Sequence, residues 1–365
     1  MTRTSRRSFL SQAAALPLAA GLGGLLTHAH AASPGDRIKV GQIGVGHAHA
    51  SGKMSTMRKL TELFDVVGVV EPDEKRRQGA AASPAYRDVT WMTEEQLLNV
   101  PGLKAVAVET EVRDLVPTAQ RCVEAGMHVH LDKPAGESLS AFRRLLETSQ
   151  RKDVVVQMGY MFRYNPAFQL LYRAVKEGWL GDVFEVHAVM SKKVNDAARR
   201  RLAEYPGGSM FELGCHVIDS LVYILGPPQR VTPYVRRTRP DADRLADNQL
   251  AVLEYPRATA TVRSTVVEVE GQHRRQFVVC GDAGTIDIRP LEPPKLRLAL
   301  EQARGEFNKG YQDVELPPPS GRYDGDFLDL AAIIHGRKQP DFTPEHDLAV
   351  QAAVLRASGV DDESE

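Results

Sequence analysis

A carboxylate and an imidazole lie four residues apart in the segment 207–219. The segment predicts a helix on which Glu212 and His216 share one face that Asp219 continues, so this face should meet solvent or a ligand. Histidine is well suited to accept a proton from a hydroxyl near neutral pH, and a nearby carboxylate can orient it. The pattern therefore indicates acid–base chemistry. Ser209 and Glu212 also match a capping box, which leaves a helix-starting role for Glu212 as the alternative.

A lysine followed by proline comes directly after the apolar run Val129–Leu131. Pro134 restricts the backbone of Lys133 to extended conformations, which fixes the direction of the lysine side chain. An ammonium at the end of a buried strand can donate a hydrogen bond to a substrate oxygen and stabilise developing negative charge. The alternative is an ordinary surface lysine.

A glycine-rich turn, Gly44-Val45-Gly46, follows the apolar run Ile38–Ile43. Such a turn lets a pyrophosphate approach the backbone N–H groups at the start of the next helix. The third glycine of the full fingerprint is replaced by His49. Glu71 ends the next apolar run, where a carboxylate can accept hydrogen bonds from an adenosine ribose and repel a 2′-phosphate. We therefore expect NAD, with NADP left possible by basic residues that follow, Lys75, Arg76 and Arg77.

The first half of the chain alternates short apolar runs with helical stretches, which predicts a doubly wound parallel sheet. We predict a Rossmann domain over residues 37–157. Its strands are Ile38–Ile43, Val66–Val70, Ala105–Val108, Val129–Leu131 and Val154–Gln157, with a weaker strand near Val89. Its helices are Ser51–Thr61, Glu74–Ala82, Leu115–Ala125 and Leu139–Gln150.

The second half has longer alternating stretches, typical of an open and largely antiparallel sheet with one wet face. We predict an α+β domain over residues 158–320 that serves substrate binding and oligomerisation. Its helices are Pro166–Glu177 and Met210–Leu225, and its strands are Val183–Val189, Gln249–Tyr255, Thr259–Val267, Gln276–Cys280 and Thr285–Ile288. Residues 321–365 supply two helices, Asp324–His335 and Pro344–Ala357, expected to pack back on the first domain.

The amino terminus predicts export. Residues 4–10 contain Arg6 and Arg7 before an apolar stretch that reaches Leu26, and residues 29–31 resemble a cleavage site. We therefore expect residues 1–31 to be a twin-arginine signal peptide and the protein to be periplasmic. Its removal leaves 43 basic against 47 acidic residues, and this net charge of −4 argues against nucleic-acid binding. No later segment is apolar enough to span a membrane. Because that route exports folded proteins, a tightly held nicotinamide could travel inside this one.

The motifs together resemble the Gfo/Idh/MocA oxidoreductase family. The resemblance rests on residues 44–46, 129–134, 159–166, 207–219 and 281–285, in their order and spacing. It implies hydride transfer between nicotinamide and a sugar or polyol, with a catalytic set of Lys133, Glu212 and His216. By this resemblance Tyr160 and Arg163, with Glu212 and His216, contact substrate. The expected cofactor contacts are Gly44, Gly46, His47, Glu71, Thr110 and Lys133.

The chain departs from the family pattern at two places. The family usually has aspartate at the position of Glu212, and the longer side chain displaces the carboxylate by about one bond length. After the fourth strand the family commonly reads Thr-Pro-Asn, whereas only Thr110 is kept here, followed by Glu111 and Arg113. These departures keep open a sugar-binding protein without activity. The resemblance leaves a second alternative, a glycosidase that oxidises its substrate transiently with bound NAD.

Two further expectations concern metal and assembly. The pairs His47/His49 and His128/His130 could suggest a metal site, but no acidic third ligand is obvious, so none is expected. An open antiparallel sheet often pairs with its copy, so we expect a homo-oligomer.

Overall fold

The computed structural model describes residues 37–318 and 320–360, and the predicted signal peptide lies outside them. Two sheets carry the architecture, the first of six strands and the second of eight. Among the described residues, no helix has the length and apolar character needed to cross a bilayer.

The first sheet is parallel throughout and has the order β3-β2-β1-β4-β5-β6. Its strands are β1 Ile38–Ile43, β2 Phe64–Val70, β3 Trp91–Met92, β4 Leu103–Val108, β5 His128–Leu131 and β6 Val156–Met158. The order reverses between β1 and β4, and in such sheets ligands bind beyond the carboxyl ends of the strands at this switch point. The predicted Rossmann sheet is thereby confirmed, and the motifs that follow β1, β4 and β5 meet at one edge.

Five helices connect these strands: α1 Ala50–Lys59, α2 Glu74–Ala81, α3 Glu94–Leu98, α4 Val112–Glu124 and α5 Leu139–Lys152. The short helix α3 was not predicted, although Thr93 and Gln96 form a capping box at its start. The weak strand expected near Val89 lies two residues later, as β3. Strand β3 pairs only with the end of β2, at the edge of the sheet.

The second sheet has the order β14-β13-β12-β11-β7-β10-β9-β8, and only β7 and β10 run parallel. Its strands are β7 Val183–Ser191, β8 Arg230–Arg236, β9 Asn248–Glu254, β10 Thr259–Thr265, β11 Gln276–Gly281, β12 Gly284–Leu291, β13 Pro294–Leu300 and β14 Gly310–Val314. Strands β8, β13 and β14 were not predicted, nor was helix α7, Asp196–Leu202. The predicted open and largely antiparallel sheet is confirmed.

The helix predicted as one piece over Met210–Leu225 is built differently. Residues Met210–Gly214 form a π-helical turn, and the α-helix α8 begins only at Cys215 and ends at Leu225. The turn is tightly packed, since a Cβ on Gly214 would lie 2.4 Å from the sulfur of Met210. A π-turn advances the chain by about one extra residue, so the expected four-residue face does not continue through it.

Three helices complete the fold: α6 Pro166–Lys176, α9 Asp324–Ile334 and α10 Pro344–Ser358. Helix α9 packs on α1, and the ring of its Phe327 also lies 5.8 Å from that of Phe64 at the start of β2. Helix α10 contacts α8 and the strands β8 and β9 of the second sheet, and it contacts α5 beside the first sheet. It therefore bridges the two sheets, whereas the sequence pattern placed both terminal helices on the first domain.

Candidate functional site

The glycine turn lies where predicted, at the carboxyl end of β1. Gly44 has a φ of 89°, and a Cβ there would lie 2.6 Å from the Cα of Thr110. Only glycine satisfies both the positive φ and this close approach to the loop after β4. The Val45 N–H donates to the Glu71 carboxylate at 3.0 Å, which ties the turn to the end of β2.

A first cavity of about 740 Å³ opens beside this turn. It is lined by four of the residues predicted to contact a cofactor, Gly44, Gly46, Glu71 and Thr110. The Glu71 side chain is nearly buried and also accepts a hydrogen bond from the Asp73 N–H at 3.0 Å. Its position at the end of β2 is that of the carboxylate that contacts the adenosine ribose in Rossmann folds.

A second cavity of about 450 Å³ lies on the other side of Gly46, against the second domain. His47 and Glu212 line it. Gly46, Arg76 and Glu111 line both cavities, and Arg76 pairs with Glu111 at 2.9 Å. The two spaces therefore meet at the glycine turn, with this ion pair beside it.

Lys133 and Glu212 form an ion pair that joins the two domains. The Lys133 Nζ donates to a carboxylate oxygen of Glu212 at 3.2 Å and to its backbone carbonyl at 3.0 Å. The ammonium is 1% exposed and the Glu212 side chain 16%. Burial opposes both charges, but each group stabilises the other, so the pKa of Lys133 is raised and the pKa of Glu212 is lowered. Glu212 is thus held as a carboxylate; it does not cap a helix, since the segment begins as a π-turn.

His216 is buried next to this pair. Its Nδ1 has no hydrogen-bond partner among the described residues, and its ring centroid lies 6.2 Å from that of Tyr160 and 5.8 Å from that of Phe162. Burial and the charge of Lys133 hold the pKa of His216 well below its ordinary value. The imidazole is therefore neutral, as an acceptor of a substrate proton must be.

A polar cluster that the sequence analysis missed surrounds Asp132. Its carboxylate lies 2.8 Å from His47 Nδ1, 3.2 Å from His49 Nδ1 and 2.9 Å from Lys53 Nζ. Lys53 is completely buried and also lies 3.0 Å from Glu109. Although burial opposes it, these three neighbours hold the pKa of Asp132 well below its ordinary value. Lys53 follows His49 by four residues on α1, and this spacing was the available signal.

The ring of His49 points toward the catalytic candidates. Its centroid is 6.4 Å from that of His216, and burial lowers the pKa of His49 to about 4 despite Asp132. Because Asp132 is ionised, His49 donates through Nδ1, which leaves its Nε2 as an acceptor. His49, unlike His216, therefore has its tautomer fixed by a carboxylate.

The structure supplies the acidic neighbour that the His-x-His pair lacked in the sequence. His47, His49 and Asp132 present ligand atoms within 4.8 Å of one another. The ammonium of Lys53 already pairs with the Asp132 carboxylate, and its positive charge would repel a metal ion bound there. The cluster is thus organised around a lysine.

The side chains of Arg163 and Asp219 are buried and pair with each other. The guanidinium of Arg163, which was predicted to contact substrate, lies 2.7 Å from Asp219, also pairs with Asp347, and stacks 4.0 Å from the ring of Phe342. Asp219 was expected on a face that meets solvent or a ligand, yet it is buried, because Arg163 and His346 pack against its carboxylate. Tyr160 is also buried, beside His216.

The arrangement can bind a dinucleotide and act on a hydroxyl or carbonyl group. The glycine turn offers backbone N–H groups, Lys133 offers a fixed positive charge, and His216 offers a neutral imidazole. All three lie at the carboxyl edge of the first sheet and its junction with the second domain.

Comparisons with known proteins identify the family. The profile of an oxidoreductase family with an NAD-binding Rossmann fold matches residues 38–160, and that of the GFO/IDH/MocA C-terminal domain matches residues 168–287. The uncharacterized oxidoreductase YdgJ of Escherichia coli is 26% identical over 76% of this chain and 78% of its own length. Inositol 2-dehydrogenase 1 of Saccharopolyspora erythraea is 28% identical over 69% of this chain and 74% of its own.

A solved structure shares the fold. The aldose–aldose oxidoreductase of Caulobacter crescentus superposes with a TM-score of 0.74 and 19% identity, over 88% of this chain and 98% of its own. The two family profiles together cover well over half of the chain. The protein therefore belongs to the Gfo/Idh/MocA family of oxidoreductases, whose amino-terminal domain is an NAD(P)-binding Rossmann fold.

Proposed function

We propose that the protein transfers a hydride between a hydroxyl-bearing carbon of a sugar or polyol and a tightly held NAD(P). The observation that carries this proposal is the convergence of the Lys133–Glu212 pair and His216 beside the glycine turn. In the oxidation of an alcohol, a neutral imidazole can accept the proton and a buried ammonium can stabilise the negative charge that develops on the oxygen.

The residues present fit a dinucleotide. Gly46 adds no side chain between the two cavities, and a Cβ there would lie 3.2 Å from Glu111 Cγ, so the space over the turn stays free for a diphosphate. Glu71 at the first cavity favours ribose hydroxyls over a 2′-phosphate, which supports NAD. Arg76 and Arg77 line the same cavity and keep NADP compatible with it.

The nicotinamide ring supplies the hydride acceptor or donor. Lys133 holds the reacting oxygen and stabilises negative charge on it as the proton leaves. His216 accepts that proton, because its low pKa keeps it neutral at physiological pH. Glu212 fixes the direction of Lys133 through the 3.2 Å contact and closes the second cavity on the substrate side.

The substrate class and the location are also part of the proposal. The names of the inositol dehydrogenase and the aldose–aldose oxidoreductase support a polyol or sugar. The twin-arginine sequence supports export with the cofactor already bound, and the open sheet supports a homo-oligomer. Replacement of Arg6 and Arg7 by lysine should leave the protein in the cytoplasm, and finding it still in the periplasm would contradict this route.

The function is tested on the purified, exported protein. Denaturation should release NAD or NADP, identified by mass spectrometry. A panel of inositols, glycerol and aldoses should then reduce the cofactor in the native protein, with Lys133→Met as the inactive comparison. A native protein that binds no nicotinamide nucleotide would overturn the proposal.

A further inference from the structure

Among the charged side chains that line the second cavity, the carboxylates have ion-pair partners, whereas two cations have none among the described residues. Each acidic group there has a cation of its own: Glu111 pairs with Arg76 at 2.9 Å, Glu204 with Arg113 at 2.5 Å, and Glu212 with Lys133 at 3.2 Å. Two cations on the cavity wall, Lys192 and Arg201, have no ion-pair partner within 4.0 Å in the part of the chain that the structure describes.

Lys192 lies just beyond the end of β7 and is half-buried. Its pKa is lowered, mainly by burial, although the nearby Glu212 raises it. Glu212 already pairs with Lys133, so one carboxylate faces two ammonium groups. Removing a charge from water without a partner is costly, and an anionic ligand would relieve that cost.

Arg201 lies on α7 and lines the cavity together with Ala198, about one turn earlier, and the adjacent Leu202. The helix is anchored by Arg199, which pairs with Asp243 and Asp247 at 2.9 Å each. The base of Arg201 is therefore fixed, and its exposed guanidinium stays free to bind an anion.

We propose that the substrate carries an anionic group, a carboxylate or a phosphate, that Lys192 and Arg201 bind. The inference rests on the proposed function and specifies the substrate class of the same site. Lys133 holds the reacting oxygen, while the two cations anchor the far end of the molecule and orient it. A neutral polyol would leave both cations unpaired inside the cavity.

The cofactor diphosphate is a second possible source of negative charge, because Gly46, His47 and Ala48 line the same cavity. The placement favours the substrate. Lys192 and Arg201 stand on the wall formed by the second domain, and the diphosphate is already provided with the N–H groups of the glycine turn.

The test compares ligands of matched shape. Binding of D-glucuronate, D-glucose 6-phosphate and D-glucose to the NADH-loaded protein is measured by calorimetry at low and high salt. Charge-assisted hydrogen bonds from the half-buried Lys192 and from Arg201 predict that at least one anionic sugar binds about tenfold or more tightly than glucose. That advantage should shrink in Lys192→Gln and Arg201→Gln and with added salt. Lys193→Gln, which changes an exposed lysine one residue away, is the matched control and should bind as the wild type does.

Each outcome decides the inference. Equal binding of all three sugars, or an anionic preference unchanged in both variants, overturns it. A loss of NADH affinity in the variants with an unchanged sugar preference also overturns it and assigns the cations to the cofactor. A wild-type protein that binds no NADH defeats the proposed function instead, and sugar binding measured without NADH then judges the anion site separately.

Discussion

Removing Glu212 from its buried ion pair with Lys133 should lower the free energy of unfolding more than removing Lys133 does. At 3.2 Å and an effective dielectric constant of 20, the attraction between the charges is about 5 kcal/mol. Glu212→Gln leaves a fully buried ammonium unpaired and should lower the free energy of unfolding by about 3–5 kcal/mol. Lys133→Met removes the buried charge and leaves Glu212 partly exposed near Lys192, so its cost should be clearly smaller.

Urea unfolding of the protein without added nucleotide measures both costs. The double variant Lys133→Met/Glu212→Gln should cost less than the sum of the single changes, because it strands no charge. Glu94→Gln is the control, since it breaks the exposed contact to Arg121 and should change the stability by no more than about 1 kcal/mol. Equal costs for the two single variants, or strict additivity, would refute this account of the pair.

Three other expectations concern titration and the cofactor turn. The pKa of His49 is lowered to about 4, so between pH 4 and 6.5 the folded state binds fewer protons than the unfolded state. The free energy of unfolding should therefore rise with pH by about 3 kcal/mol across this range. Denaturation curves of His49→Gln should lack this rise. Burial raises the pKa of Asp326 to about 7, so its ionisation above that pH costs the folded state about 4 kcal/mol. Asp326→Asn should therefore stabilise the protein far more at pH 8 than at pH 4. The same gain in the free energy of unfolding at both pH values would contradict this expectation. Gly46→Ala should fold normally but bind NADH more weakly in a fluorescence titration. Gly44→Ala should instead lose about 1–3 kcal/mol of unfolding free energy, because of its positive φ and its close contact with Thr110. A destabilised Gly46→Ala beside a stable Gly44→Ala would show that the turn is misassigned.

The first sheet was predictable from sequence because its strands are buried on both faces and read as unbroken apolar runs. The second sheet was harder to predict. Strand β8 is half-exposed and contains Pro233, so its burial does not alternate clearly and the proline argues against a strand. The π-turn was not predicted because the four-residue spacing of Glu212 and His216 is also the spacing of an ordinary α-helix.

Some residues of the site could likewise be predicted from sequence, and others could not. Gly44, Gly46, Glu71 and Lys133 follow strands, and their strands place them at one edge. The burial of Arg163 depends on Asp347 from a helix far along the chain, and no local pattern reports such a pairing. The cluster around Asp132 joins α1, β4 and β5, so only its members close together in sequence, His47, His49 and Lys53, could have been linked from sequence.

Deuterium transfer tests the central claim most directly. The native protein is incubated with NAD and, in turn, with inositol, glycerol, an aldose, D-glucuronate and D-glucose 6-phosphate, each deuterated at carbon, and the nucleotide is analysed by mass spectrometry. The account predicts deuterium at nicotinamide C4 with at least one of them, at a rate that Lys133→Met lowers by about a hundredfold or more. Bound nucleotide that acquires no deuterium from any of them, or equal transfer in Lys133→Met, would contradict it.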